Sequence, residues 1–193
     1  MQRFGTDTLR NRYARGRAAL RWVLAQIVGV DPAWVPIERG ERGRPRLASD
    51  IVDFNVTHTG DVALIGVSDR GRIGVDIERR DRPLNALRIA RRILTARERA
   101  ALPGDVEDAR RRVIALWTCK EALAKATGDA LSAPFGRIDI ALDPTPALID
   151  GPPPYDPLAF ALFAARVPNE YVATVALWRR YNGIENERRE STH

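Results

Sequence analysis

Three short stretches of the 193-residue chain hold residue types that could do chemistry together. In Gly74-Val75-Asp76-Ile77-Glu78 two carboxylates are separated by a single residue. Side chains alternate across a strand, so Asp76 and Glu78 share one face, about 7 Å apart, while Val75 and Ile77 turn to the other. Such a pair repels, and a hard cation such as Mg²⁺, which binds through oxygen and takes substrate phosphate oxygens as further ligands, would relieve the repulsion. The same pattern fits an edge strand with two solvated acids beside Arg79 and Arg80.

In the stretch Trp117-Thr118-Cys119-Lys120-Glu121 through Lys125, a helical turn of about 100° per residue puts Trp117, Lys120, Glu121 and Lys125 on one arc. Glu121 and Lys125 also fit a surface i,i+4 ion pair worth a few tenths of a kcal/mol. Of the 31 basic residues, 29 are Arg, and the two lysines are Lys120 and Lys125. A compact ammonium does work that a planar guanidinium cannot, so both lysines on one patch point to a site. In Thr57-His58-Thr59-Gly60, hydroxyls and an imidazole followed by Gly can approach a phosphate closely. His58 fits equally well as a hydrogen-bonded turn residue.

The composition narrows the chemistry. With 45% apolar residues the chain can bury a core. One Cys and two His cannot build a four-ligand zinc site or an internal disulfide, so any metal is held by oxygen. No P-loop or G-x-G-x-x-G occurs, and a Ser-His-Asp triad has no support. Apolar stretches such as Trp22 to Val30 stop well short of the roughly 20 residues of a membrane span, and no leader pattern opens the chain. A soluble, cytoplasmic protein is expected. The net charge of +6 favours anionic partners: nucleic acid, a phosphorylated cofactor or an acidic protein.

The elements that must position these groups follow from periodicity. Helices are expected over residues 8–29, 86–101 and 107–127, the last stopping at Gly128. Arg39, Arg42, Arg44 and Arg46 sit in a Gly- and Pro-punctuated basic loop. Val62 to Val67 and Ile73 to Ile77, separated by Ser68-Asp69-Arg70-Gly71, read as a hairpin. Strands are expected at 138–142, 158–164 and 171–178, with a Pro-rich loop at 150–157. The fold class is α+β, with two similar lobes, 1–80 and 81–180, a polar tail over 181–193, and a ligand cleft between the lobes.

Gly43-Arg44-Pro45, Phe54-Asn55-Val56-Thr57-His58-Thr59-Gly60, Gly74-Val75-Asp76-Ile77-Glu78 and Trp117 through Gly128 resemble, in order and spacing, the motifs of the 4′-phosphopantetheinyl transferase superfamily. The resemblance is to its monomeric, two-lobed, pseudo-symmetric, surfactin-synthetase-activating type. It implies Mg²⁺-dependent transfer of the phosphopantetheine arm of coenzyme A to a serine of an acyl or peptidyl carrier protein, releasing 3′,5′-ADP. It also implies metal ligation by Asp76, Glu78 and Glu121, and phosphate contacts from Lys125, Thr57 and His58. Arg44 stands at the nucleotide-binding position of the Gly-x-Pro motif, and Arg12 and Arg39 are candidates for the 3′-phosphate.

Asp76, Glu121 and Lys125 are thus the expected catalytic residues, with Lys120 tuning Glu121 or touching substrate. The arginines of residues 88–112 are expected to dock an acidic carrier. The competing reading is a non-enzymatic, Arg-rich nucleic-acid binder, motivated by the charge and by clusters such as Arg110-Arg111-Arg112. It lacks a reader motif.

Overall fold

A computed structural model of the chain describes residues 7–40, 43–83 and 86–179. The expected polar tail, 181–193, lies outside the described residues. Helix α1 (Asp7–Val28) leads through a 3-10 turn to the short antiparallel pair β1 (Ile37–Arg39) and β2 (Pro45–Leu47), then to the hairpin β3 (Asp53–Thr59) and β4 (Val62–Ser68). Leu20, Leu24 and Ala25 come from the inward stripe of α1 and pack with Val35, Leu47 and Phe54 into a first core.

The second half holds β5 (Arg72–Arg79), α2 (Ala86–Ile93), α3 (Ala96–Ala100), α4 (Val106–Thr127), β6 (Asp139–Ala141), β7 (Ala147–Asp150), β8 (Phe160–Ala164) and β9 (Tyr171–Trp178). Its main sheet is antiparallel in the order β5-β9-β8, and α4 packs across β5 and β9. A larger core fills the space between helix and sheet, with Leu116, Leu123, Ile138, Ile140 and Tyr155 among its members. The architecture is α+β, as expected. Among the described residues no helix is long and apolar enough to cross a membrane.

Two expectations give way. The hairpin read between Val62–Val67 and Ile73–Ile77 does not form: β4 pairs with β3 across the Gly60 turn, and β5 pairs with β9 along its whole length. Residues 73–77 are buried on both faces, and β5, the end strand of the β5-β9-β8 sheet, takes its backbone partner from β9, far along the chain. The sheet of the second half therefore begins at Arg72, ahead of the expected lobe boundary at residue 80. The helix expected over 86–101 is two helices. Thr95 caps the second, and Glu98 reaches back to the Thr95 N–H in a capping box.

Helix α4 has matched ends. The Asp105 side chain accepts from the Asp108 N–H at its start, and Gly128, at φ +84°, closes its last turn on the Ala124 carbonyl. Lys120, expected to face the site, points instead into the core. Its Nζ lies 2.7 Å from Glu98 Oε2 and 2.6, 2.8 and 2.7 Å from the carbonyls of Ile93, Phe135 and Ile138. The side chain is fully buried. Desolvation pulls its pKa down, and the Glu98 carboxylate opposes that. Four acceptors set around one point suit an ammonium and exclude a planar guanidinium, which accounts for Lys in a chain otherwise rich in Arg.

Removing one member of this pair strands the other charge in the core. Lys120→Met should therefore lower the unfolding free energy by about 3–5 kcal/mol, measured by urea denaturation, and a loss under about 1 kcal/mol would show that Glu98 is not held as an ion.

Candidate active site

The site is built on a contact too close for any side chain. A Cβ on Gly74 would overlap the carbonyl oxygen of Ala122 and stand 2.6 Å from the Ala126 nitrogen. Glycine in β5 and two fully buried alanines in α4 let helix and strand backbones touch. Neighbouring positions are thereby brought together: Asp76 on the strand, Glu121 and Lys125 on the helix. Lys125 Nζ donates to Asp76 Oδ1 at 2.6 Å and to Thr57 Oγ1 and the Val75 carbonyl, each at 3.1 Å. Its partner is thus Asp76 on another element, and not Glu121 four residues back as a surface pair would require.

Beside this ion pair, Thr57 Oγ1 donates to Asp76 Oδ1 at 3.3 Å, and Thr59 Oγ1 donates to Glu78 Oε2 at 3.4 Å. Arg82 Nη1 is bonded to Glu78 Oε1. Arg82 had no sequence signal, because it lies beyond the strand in an irregular connection. His58 sits within β3, opposite Ala63, with its side chain exposed, and not in a turn. A cavity of about 460 Å³ opens here, lined by His58, Thr59, Glu78, Arg79, Asp81 and Arg82.

The three acids are electrically linked. Burial pushes Asp76 up from the usual carboxyl range, and Lys125 opposes it. Glu78 is raised by burial, with Arg82 opposing and the Asp76 charge adding. Glu121 is raised by burial and then by the charge of Asp76. Two buried carboxylate oxygens, Asp76 Oδ2 and Glu121 Oε1, have no hydrogen-bond partner. Buried acceptors left in this way, on hard oxygen donors, suit a small divalent cation. Among the described residues, however, no three acidic, His or Cys side chains converge on one point, since Asp76 turns to Lys125 and Glu78 to Arg82.

The remaining expected residues lie apart from this centre. Arg12 is paired with Asp61 at 2.7 Å, next to the Gly60 turn. Arg39 and Arg44 line a second cavity of about 650 Å³ with Arg46 and Arg72. The Arg44 guanidinium is taken up by protein: it bonds Asp53 Oδ2 at 2.5 Å, the carbonyls of Ile73 and Phe54 at 2.7 and 3.1 Å, and the Lys125 carbonyl.

The α+β frame thus brings a strand aspartate onto the lysine of a crossing helix, a candidate charge-handling site. A model of the 4′-phosphopantetheinyl transferase superfamily matches residues 72–176. The 4′-phosphopantetheinyl transferase HetI of Nostoc sp. is 36% identical over 182 residues, which is 91% of this chain and 74% of that protein. A phosphopantetheinyl transferase of Thraustochytrium sp. is 28% identical, over 96% of this chain and 75% of its own. Among solved structures, a Bacillus anthracis holo-(acyl-carrier-protein) synthase in complex with CoA (3′,5′-ADP) aligns with a TM-score of 0.43 and 24% identity, over 55% of this chain and 94% of that one. The chain belongs to the 4′-phosphopantetheinyl transferase superfamily, and it is a transferase.

A carboxyl whose pKa is raised on folding holds its proton more tightly in the native state. The stability it contributes is complete below the ordinary carboxyl pKa and is lost as pH rises through the raised value. Glu121→Gln removes that dependence and one uncompensated charge. Followed by circular dichroism in EDTA, its Tm should exceed the parent's by about 3 °C at pH 8 and match it near pH 4. A lower Tm at pH 8 would mean that the Glu121 carboxylate is satisfied by a donor.

Proposed function

We propose that the chain transfers the 4′-phosphopantetheine arm of coenzyme A to a serine hydroxyl of an acyl or peptidyl carrier protein. The observation that carries this reading is the meeting of Asp76, Glu121 and Lys125 around two partnerless carboxylate oxygens, in a chain of this superfamily. In the reaction the serine Oγ–P bond forms as the P–O bond to 3′,5′-ADP breaks, and the serine proton goes to a base. Such a step needs charge compensation and alignment more than covalent catalysis.

The roles follow from the environments. Glu121, its pKa raised by burial and by Asp76, is a stronger base than a surface carboxylate and takes the serine proton, directly or through water. Lys125 neutralises charge growing on the leaving phosphate. Thr57 and His58 lie on β3, and Arg12 of α1 is paired with Asp61 at the turn that follows β3, where the three suit the phosphates of coenzyme A. The guanidinium of Arg44 is committed to protein partners, which argues against a direct nucleotide contact from that side chain. Asp76, Glu78 and Glu121 are the oxygen donors that would hold Mg²⁺, by rearranging around it. When bound, the ion would offset the charge of the pyrophosphate.

The expected carrier surface narrows. Arg110, Arg111 and Arg112 are paired with Glu107, Asp108 and Asp143, whereas Arg91 and Arg92 of α2 are exposed. Arg92 borders a groove of about 600 Å³, whose floor is apolar, with Ile89, Trp117, Leu131 and Phe135, and whose rim carries Arg82 and Arg137. The acidic recognition helix of a carrier protein suits the basic rim of that groove. The nucleic-acid alternative drew on the net charge and on the Arg88-Arg91-Arg92 and Arg110-Arg111-Arg112 clusters; the second is paired locally, and no observation favours that reading.

The direct test is mass spectrometry of several apo carrier proteins incubated with the chain, coenzyme A and Mg²⁺. A phosphopantetheine adduct on serine is expected from the parent chain and none from Asp76→Asn. Reversing Arg91 and Arg92 to Glu should raise the carrier KM by about tenfold at low salt. No adduct on any carrier, or an unchanged KM, would overturn the corresponding claim.

A further inference from the structure

Strands β3 and β5 belong to different sheets, yet they run alongside one another and are joined by side chains. Every second residue of β3, beginning at Asp53, faces β5. Asp53 Oδ2 accepts the Ile73 N–H at 2.7 Å, and Asn55 Oδ1 accepts the Val75 N–H at 2.9 Å. The next two rungs are Thr57 and Thr59, whose hydroxyls reach the carboxylates of Asp76 and Glu78. The intervening residues Phe54 and Val56 face the first core.

The seam has a physical logic. Ile73 and Val75 lie on the end strand of their sheet, one edge of which is paired with β9; both residues are buried, so the N–H groups on the other edge need acceptors. Two long, acceptor-tipped side chains supply them. An interposed side chain also holds the strands farther apart than the roughly 4.8 Å of a backbone ladder. At Thr57 and Thr59 the arms shorten and no longer span to the backbone, so the gap opens toward the cavity lined by His58, Thr59 and Glu78. Arg44 locks the far end by binding Asp53, the Ile73 carbonyl and the Lys125 carbonyl together.

We infer that Asp53 and Asn55 are positioning residues. They touch no reacting group, but they set the register and spacing that place Thr57 and His58, on one strand, opposite Asp76 and Glu78 on the other. This rests on the transferase reading for its kinetic consequences and on hydrogen bonding alone for its structural ones. The requirement at residue 55 is an acceptor on an arm long enough to span the gap. Asp meets it. Thr does not, although it is a good strand former and copies the next rung.

The test compares Asn55→Thr and Asn55→Asp with the parent, at a temperature where circular dichroism shows all three folded. In Asn55→Thr the Val75 amide should exchange with deuterium at least about fivefold faster, coenzyme A should bind more weakly by calorimetry, and kcat for carrier loading should fall at least about tenfold. Asn55→Asp should restore all three to within about threefold of the parent. Unchanged exchange in Asn55→Thr overturns the inference, as does faster exchange with unchanged coenzyme A affinity and kcat. Should the parent load no carrier, the transferase reading fails by itself, and the exchange and coenzyme A binding comparisons still decide the seam.

Discussion

The structure depends on the place where β5 and α4 touch backbone to backbone at Gly74. A strand and a helix normally keep side chains between them. Here the absence of a Cβ on Gly74, and the small side chains of Ala122 and Ala126, remove that layer. The consequence is geometric. Charged residues that flank the contact, Asp76 on one side and Glu121 and Lys125 on the other, come within reach of each other at the edge of the core, where burial strengthens their interactions.

The two lysines of α4 divide the work of holding this helix. Lys120 anchors it inward, to the capping box of α3 and to carbonyls that end α2 and precede β6. Lys125 ties it to Asp76 of β5 and, through Thr57 of β3, to the first half of the chain. With the side-chain seam between β3 and β5, these ties bring Asp76, Thr57 and Lys125 together beside the opening that Thr59 and Glu78 line. The carboxylates are left under-compensated, with raised pKa values and two oxygens without donors.

Much of this was legible in the chain. The alternation of Gly74–Glu78 and the spacing of Trp117–Lys125 mark the two segments that meet, and their combination carried the resemblance to the superfamily. Helix α4 is legible to its C-terminal residue, because Gly128 marks a stop, and β9 is legible to its bounds as a mostly apolar run. Strand β3 was not read as a strand. Its polar residues Asp53, Asn55, Thr57 and Thr59 face a neighbouring strand and not solvent, and His58, which also fits a turn, lies within the strand. The pairing of β5 was missed because adjacency in sequence favours a hairpin, whereas burial on both faces, invisible without the fold, selects β9. The inward turn of Lys120 was hidden for a related reason: at the end of the predicted arc, 140° from Lys125 by helical geometry, it faces a different neighbour.

The central claim is that the Gly74 contact sets the active geometry, and Gly74→Ala tests it most directly. Carrier loading by this variant should be measured at a temperature where circular dichroism shows it folded. A fall of about a hundredfold or more is expected, because a displaced helix moves Glu121 and Lys125 away from Asp76 by an ångström or so. Loading at the parent rate would contradict the account, since the site would then tolerate a helix that cannot lie where this structure puts it.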